Sequence, residues 1–301
     1  MIKEHIMSNN LIFQYLILNN SVDKRGEIPC EHGPVKRTEV YKEMADISRR
    51  SFEIYAKEIG CEYMFSDTQH FTKGKFGRSS GSLLFECLRI IYDPFFDKFD
   101  KILFADADIV ANTKENIFDV SDAEVYGVLE SDIITDDQKG GYNTWDYDGP
   151  HRQWYTDKFN QHNVPIVPHL ESDIRPSRFT IVNTGVVVWT KEARLKARKL
   201  FDNWEQWAFP KAFNPDWIEH HCSICNDQPF ISGQLTKHKF DFEPISQAWN
   251  DTPTHYKDPQ KWIDGHGRHP CHFLHYTGGG GKASMIKAYH EKRFPIFNKD
   301  W

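Results

Sequence analysis

The chain has 301 residues, of which 39% are hydrophobic and 27% charged, a composition that excludes a disordered or fibrous protein. Its 43 acidic and 37 basic residues give a formal net charge of −6 without a basic block, which disfavours nucleic acid as a partner. No apolar run approaches the roughly 20 residues that span a bilayer. Because the N-terminus also lacks a signal-peptide layout, we expect no transmembrane segment and a cytoplasmic location.

Six cysteines are scattered through the chain, which favours reduced thiols over a disulfide framework. A subset of cysteine and histidine side chains offers an alternative, a structural zinc site, and comprises His220, His221, Cys222, Cys225, Cys271 and His272. A single C-x-x-C without a second pair is a weak zinc pattern. We therefore expect free thiols and keep zinc as the alternative.

The first elements predict a β-α-β unit. Residues 11–18 are mostly apolar and predict a central strand, without the G-x-G-x-x-G of a dinucleotide-binding fold. From Tyr41 to Ile59 apolar residues recur at helical spacing, and Gly60 closes the predicted helix. Residues 61–65 predict a second strand.

A second helix is predicted over residues 83–91, with a buried side and one cation, Arg89, projecting away from it. The side chains predicted to be buried are Leu84, Cys87, Leu88 and Ile91. An exposed surface position is the ordinary fate of a helical arginine.

The most informative segment is an apolar run, residues 102–104, that ends in two carboxylates, Asp106 and Asp108. In an open α/β sheet, ligands bind at the carboxyl ends of strands. Residues i and i+2 of an extended segment point to the same side, so both carboxylates can face one hard cation and the phosphates it carries. The alternative is that the two aspartates only cap the following turn.

The middle of the chain predicts further core elements around a long excursion. Residues 124–129 and 179–189 predict strands, the second interrupted at Asn183-Thr184-Gly185, and residues 191–207 predict a helix. Residues 136–176 lack periodicity. Aromatic side chains there could stack on sugars or hold the segment onto its own core, and include Trp145, Tyr147, Trp154 and Tyr155.

A second informative segment begins at His275 and continues through four glycines, residues 278–281, to Lys282. Backbone N–H groups of a glycine loop can wrap phosphate oxygens, Lys282 adds a positive charge, and His275 offers an imidazole to a metal. The segment is not a Walker A loop, because Ala283 stands where that motif has serine or threonine. The alternative is a flexible glycine loop with a chance lysine.

Taken in order, these motifs resemble the retaining glycosyltransferases of the GT-A fold, most closely the family 8 group of glycogenin and the bacterial lipopolysaccharide galactosyl- and glucosyltransferases. The matching pieces run from about residue 10 to 282. They are the helix carrying Arg89, the aspartates at 106 and 108, Asn183-Thr-Gly-Val186, Asn226-Asp-Gln228, the Trp249-Asn250 turn, and His275-Tyr-Thr-Gly278 with Lys282.

The resemblance implies an α/β fold with a mixed central sheet flanked by helices, and a set of site residues. It implies that Mn²⁺ or Mg²⁺ is bound by Asp106, Asp108 and His275. It implies that the nucleotide-sugar is held by these aspartates together with Asn20, Arg89, Asn183, Gly185, Gly278 and Lys282. It places Asp227 and Gln228 beneath the anomeric carbon as the catalytic pair.

The implied activity is metal-dependent transfer of a hexose from a nucleotide-sugar, most simply a UDP-hexose, to a glycan, lipid-linked saccharide or protein acceptor. The implied organisation is a single domain over residues 1–301. Residues 10–135 would form the nucleotide-binding half, 136–180 the acceptor-side excursion, and 181–290 the sugar and acceptor half that closes the metal site. Pro229 stands where the family usually has aspartate, and Lys282 comes one residue later than in the bacterial enzymes.

Two other functions fit parts of the sequence. The strand that ends at Asp106 and Asp108 also resembles the opening motif of haloacid-dehalogenase-type phosphohydrolases, in which Asp106 would be the nucleophile. That family normally begins with this strand, whereas here about 100 residues precede it. A catalytically inactive carbohydrate-binding module is the second alternative, and the retained cluster of charges argues against it.

Overall fold

The computed structural model describes residues 9–18, 27–30, 33–73, 83–129, 182–208, 227–253 and 271–298. Its strands are β1 (Leu11–Tyr15), β2 (Ile28–Cys30), β3 (Gly33–Val35), β4 (Glu62–Ser66), β5 (Lys101–Ala105), β6 (Ile109–Ala111), β7 (Val125–Leu129), β8 (Val182–Thr190), β9 (Phe242–Pro244) and β10 (Phe273–His275). Its α-helices are α1 (Arg37–Ile59), α2 (Arg89–Tyr92), α3 (Lys191–Leu200), α4 (Trp204–Ala208), α5 (Asp227–Lys237) and α6 (Gly278–His290).

A mixed six-stranded sheet with the order β4-β1-β5-β8-β7-β9 forms the centre of the fold. Strands β4, β1 and β5 are parallel, β8 is antiparallel to both β5 and β7, and β9 is parallel to β7. The sheet is therefore parallel except for β8. Because β8 is reversed, its first residues lie at the same edge as the carboxyl end of β5, and Ala105 pairs with Val186.

Helices cover both faces of this sheet, because side chains along a strand alternate between them. On one face, Leu103 packs with residues of α1 and α6, including Phe52 and Met285. On the other face, its neighbour Phe104 packs with the segment after Phe85 and with α3, α4 and α5. The predicted α/β fold with a mixed central sheet flanked by helices is confirmed.

Two small sheets complete the described structure. β2 and β3 form an antiparallel pair inserted between β1 and α1. β6 and β10 form another, in which His275 lies opposite Ile109. This second pair matters for function, because it brings a C-terminal segment against the turn that follows β5.

Several predicted elements have different bounds. The predicted β-α-β unit is present, since β1 and β4 are parallel neighbours, but α1 begins at Arg37 and β1 ends at Tyr15. The helix predicted over 191–207 is two helices, because residues 201–203 are not helical. β8 is continuous and buried until Thr190, but its pairing with β7 shifts register between Val187 and Val182. The predicted interruption at Asn183-Thr184-Gly185 is therefore an irregularity in strand pairing and not a break in the strand.

The second predicted helix also needs correction. It starts with a 3₁₀ turn, Phe85–Leu88, and continues as α2. Leu84 is 40% exposed although it was predicted to be buried, and Arg89 is only 7% exposed although it was predicted to project outward. The arginine is buried because Asp93 accepts a hydrogen bond from its Nε and the ring of Phe96 lies 5.4 Å from its Cζ.

A buried carboxylate fixes the chain that follows β4. Glu86 is fully buried and accepts hydrogen bonds from the backbone N–H groups of His70, Phe71 and Thr72 and from the Thr72 hydroxyl. These donors satisfy a charge whose burial is otherwise costly. Glu86 therefore attaches the segment after β4 to the turn that leads into α2.

Other predictions fall partly or wholly outside the described residues. The excursion over 136–176 lies outside them, as do His220, His221, Cys222 and Cys225 of the alternative zinc site.

Among the described residues, Cys30, Cys61, Cys87 and Cys271 form no disulfide. Within the same part of the chain, no helix is both long and apolar enough to cross a bilayer.

Candidate metal and donor site

The two aspartates lie where β5 ends and β6 begins. The backbone N–H of Asp106 donates to the carbonyl oxygen of Gly185 on β8 at 2.9 Å. The side-chain amide of Gln14 on β1 donates to the carbonyl oxygen of Asp106 at 2.9 Å. Both neighbours of β5 therefore fix the backbone from which the first carboxylate projects.

The β6–β10 pair brings His275 to these carboxylates. The backbone N–H of Tyr276 donates to the carbonyl oxygen of Asp108 at 2.9 Å. His275 Nε2 lies 3.2 Å from Asp108 Oδ1 and 3.7 Å from Asp106 Oδ2. The three side chains each offer one ligand atom within 4.8 Å of the others, so they could bind a metal ion.

The cluster is enclosed on one side and open on the other. The side chains of His275 and Asp108 are 5% and 13% exposed, whereas that of Asp106 is 43% exposed. A ligand can therefore approach from the Asp106 side. Two carboxylate oxygens and one imidazole nitrogen form a donor set suited to a divalent cation, with positions left for ligand oxygens.

Lys282 neutralises part of this acidic cluster. It lies in α6, and its Nζ donates a hydrogen bond to Asp108 Oδ2. The four glycines before it were predicted to form a loop, but they form the first turn of α6, preceded by Thr277. Gly278 has φ +70°, a conformation that favours glycine. The phosphate-binding groups predicted there are thus the N–H groups of a helix N-terminus.

The charges of the cluster shift one another's pKa values. Partial burial and the charge of Asp108 raise the pKa of Asp106 to about 7. Although burial acts in the opposite direction, Lys282 and His275 hold the pKa of Asp108 far below its usual range. Burial lowers the pKa of His275 and of Lys282, but the negative charge of Asp108 outweighs burial and raises both pKa values. The two carboxylates therefore differ in charge state because Lys282 and His275 contact Asp108 more closely than Asp106.

A buried amide network holds His275 from behind. His275 Nδ1 lies 2.8 Å from Asn250 Oδ1, and Asn250 Nδ2 donates to Asn183 Oδ1 at 2.8 Å. Asn183 Oδ1 also accepts from the backbone N–H of Gly185 at 2.9 Å. A side chain at Gly185 would not fit, because an added Cβ would lie 2.6 Å from His275 Cε1.

Asp227 and Gln228 begin α5 and contact the start of β8. The Thr184 hydroxyl donates to Asp227 Oδ2 at 2.9 Å, and Cys87 Sγ lies 3.7 Å from the same oxygen. Gln228 Oε1 accepts from the backbone N–H of Thr184 at 3.3 Å. Burial raises the pKa of Asp227. The predicted catalytic pair is thus joined to the residue next to Gly185.

The donor-binding roles of all the predicted nucleotide-sugar residues stay predictions, including those of Asn20 and Arg89. Asn20 lies outside the described residues. The Nε of Arg89 is engaged by Asp93, and its buried Nη1 has no hydrogen-bond partner within the described segments.

Sequence reasoning missed the residues that support the cluster. Asn250 was noted only as part of a matching turn, and Gln14, Thr184 and Cys87 were not singled out as contacts of the site. The signal for Asn250 was its place directly after Trp249 in a turn of the chain, Gln247–Asn250. Its partner, 25 residues further along, is set by tertiary structure.

No family model matches the chain, and no curated protein sequence matches it. One similar solved structure is a glycosyltransferase involved in the glycosylation of the major capsid of PBCV-1, with 13% identity, coverage of 93% of this chain and 98% of that chain, and a TM-score of 0.46.

Mouse xyloside xylosyltransferase 1 in its apo form has 14% identity, coverage of 89% and 97%, and a TM-score of 0.43. The galactosyltransferase LgtC, in complex with donor and acceptor sugar analogs, has 10% identity, coverage of 97% and 98%, and a TM-score of 0.42. With values this low, function has to be inferred from the residues of the site.

Proposed function

We propose that this protein is a metal-dependent, retaining glycosyltransferase of the GT-A type that transfers a hexose from a nucleotide-diphospho-sugar, most simply a UDP-hexose. The observation that carries this proposal is the meeting of Asp106, Asp108 and His275 at the carboxyl end of β5. The acceptor would be a glycan, a lipid-linked saccharide or a protein side chain.

The charges of the cluster suit departure of a nucleoside diphosphate. A divalent ion held by Asp106, Asp108 and His275 would act as a Lewis acid toward the diphosphate oxygens. The imidazole among the oxygen ligands favours Mn²⁺ over Mg²⁺. Lys282 would bind the same phosphates, and the N–H groups of the first turn of α6, beginning at Gly278, would stabilise their negative charge.

The residues beside the cluster would hold the donor sugar. Asn183 and Gly185 lie in β8 next to Asp106, and the absence of a side chain at Gly185 lets His275, Asn183 and Asp106 approach one another closely. Asp227 and Gln228 contact Thr184 between them. We assign this pair to the region beneath the anomeric carbon, where it would act as nucleophile or stabilise the positive charge that develops as the diphosphate leaves. Retention would require the acceptor to arrive on the leaving-group face.

The proposal is tested by screening nucleotide-sugars for Mn²⁺-stimulated hydrolysis and transfer. We expect turnover of a UDP-hexose, with the anomeric configuration of the product read by proton NMR. Release of inorganic phosphate from simple phosphate esters with Mg²⁺ would instead support the phosphohydrolase. Mn²⁺-dependent UDP binding without turnover of any donor would support the inactive binding module.

The metal assignment has a separate test by calorimetry. Asp108→Ala should abolish metal-dependent UDP binding, because it removes one ligand and the partner of Lys282. Asp119→Ala is the matched control, since Asp119 is an exposed aspartate outside the metal cluster whose side chain accepts a hydrogen bond from Asn116. Unchanged UDP affinity in Asp108→Ala would show that the metal assignment is wrong.

A further inference from the structure

His275 has two ring nitrogens, and only one of them faces the carboxylates. Nε2 lies 3.2 Å from Asp108 Oδ1, while Nδ1 lies 2.8 Å from Asn250 Oδ1. A neutral imidazole carries its proton on one nitrogen and a lone pair on the other. The nitrogen that can bind a metal ion is therefore decided by the hydrogen bond that the other nitrogen makes.

A backbone N–H sets the direction of the hydrogen bonds behind His275. The N–H of Gly185 can only donate, so the Asn183 atom that lies 2.9 Å from it must be the amide oxygen. That same oxygen lies 2.8 Å from the side chain of Asn250, which must therefore present its NH₂ group there. The oxygen of Asn250 is left to face His275 Nδ1.

Burial prevents the network from reversing. Asn250 is fully buried and Asn183 is 8% exposed. If the Asn250 amide flipped, its oxygen would face the Asn183 oxygen and its NH₂ group would face Nδ1. Two buried acceptors would then oppose each other, and an unsatisfied buried polar group costs about 1–3 kcal/mol.

We propose that Asn250 is a positioning residue that keeps the proton of neutral His275 on Nδ1 and so presents the lone pair of Nε2 to the site of Asp106 and Asp108. Asn250 does not touch the metal or the donor in this assignment. It acts through His275. The N–H of Gly185 fixes the orientation of the Asn183 amide, which in turn fixes the orientation of the Asn250 amide. This inference rests on the proposed function only in taking His275 as a metal ligand.

The first test measures the tautomer in metal-free protein without any donor. Long-range proton–nitrogen NMR of ¹⁵N-histidine-labelled protein at alkaline pH distinguishes a ring protonated on Nδ1 from one protonated on Nε2. The His275 signals are assigned by their loss in His275→Gln. Asp108 Oδ1 lies 3.2 Å from Nε2 and competes for the ring proton, so the tautomer is measured in an Asp108→Ala background. We expect the Nδ1–H form there, and finding the Nε2–H form would overturn the proposal.

Three variants test the role of Asn250. Asn250→Leu removes the acceptor, so the proton should redistribute to Nε2, and Mn²⁺ affinity should fall by about 10–100-fold. Asn250→Asp keeps an acceptor beside Nδ1 and should retain the Nδ1–H form. Gln247→Leu is the matched control, because Gln247 lies in the same 3₁₀ turn but its amide bonds to Asp251. It should leave the tautomer unchanged.

The outcomes separate the two proposals. A tautomer change in Asn250→Leu would support the positioning role. If the unaltered protein at the same time turned over no nucleotide-sugar, the proposed function would be contradicted while the positioning role stood. An unchanged tautomer and unchanged Mn²⁺ affinity in a folded Asn250→Leu protein would overturn the positioning role. If that variant does not fold, loss of the Nδ1–H form in Asn250→Asp would also overturn it.

Discussion

The ammonium group of Lys282 donates a hydrogen bond to Asp108 although 174 residues separate the two in the chain, and each side chain is only 13% exposed. In the absence of a metal ion, this contact supplies a counter-charge to a buried carboxylate. A buried carboxylate without one is costly. Lys282 contacts Oδ2 of Asp108 whereas Oδ1 faces His275, so a metal ion bound by Asp108 and His275 would compete with the lysine for the charge of one carboxylate.

This competition predicts opposite effects of one substitution. Lys282→Met should raise the affinity for Mn²⁺ alone by about tenfold, equal to 1.4 kcal/mol, because a positive charge beside the ion is removed. The same variant should lower the affinity for UDP in the presence of Mn²⁺, because a phosphate contact is lost. Both are measured by calorimetry. Lys282→Arg keeps the charge and is the control, and parallel changes in the two affinities would contradict the competition.

Gly185 predicts a steric effect at the centre of the site. Gly185→Ala would place a Cβ 2.6 Å from His275 Cε1 and 2.9 Å from Asn183 Oδ1, closer than van der Waals contact permits. We expect a loss of Mn²⁺ affinity of about tenfold or more, because the imidazole must shift from the carboxylates. Gly280→Ala is the control, since its Cβ would meet nothing within 4 Å. Equal Mn²⁺ affinities in the two variants would show that the crowding is relieved without moving His275.

Gln228 predicts a separation of binding from chemistry. Gln228→Ala should leave Mn²⁺-dependent UDP affinity nearly unchanged, because Gln228 contacts Thr184 and no member of the metal cluster in the described structure. Transfer should fall on the order of 100-fold if the residue acts only in the transition state. Steady-state kinetics and calorimetry on the same preparation test this. A fall in UDP affinity as large as the fall in transfer would contradict it.

An ion pair remote from the metal site predicts how stability depends on pH. Arg198 binds both carboxylate oxygens of Asp97, at 2.6 and 3.0 Å, and this hydrogen bonding lowers the pKa of Asp97 from 3.8. Because the folded pKa is below the unfolded one, the contribution is present at neutral pH and is lost as the pH falls below about 4. Since both side chains are partly exposed, it is worth about 1 kcal/mol.

Asp97→Asn tests this effect. The difference in the free energy of unfolding between the variant and the unaltered protein should be about 1 kcal/mol at pH 7 and should shrink toward pH 3. Urea unfolding at several pH values measures the difference. If it is the same at pH 7 and at pH 3, the pair does not contribute through the charge of Asp97.

Local pattern was sufficient for the elements with strong periodicity. The long apolar stripe of α1 and the apolar run of β5 were predicted because a buried face repeats with the period of its own helix or strand. The pattern failed at Arg89, because its contacts with Phe96 and Asp93 bury the side chain, and at Leu84, which is exposed. It failed also at residues 278–281, where four glycines continue into a helix despite their low helix propensity.

What the sequence alone determined is the inventory and order of the site: two carboxylates after an apolar strand, and an imidazole and a lysine far downstream. Only the tertiary structure decided that these groups meet, because the antiparallel pairing of β6 with β10 places His275 beside Asp108. It also decided which nitrogen of His275 faces the carboxylates, since that depends on hydrogen bonds among Asn250, Asn183 and Gly185. Periodicity reports how a segment is buried, whereas the direction of a contact between distant segments is fixed only when the chain is folded.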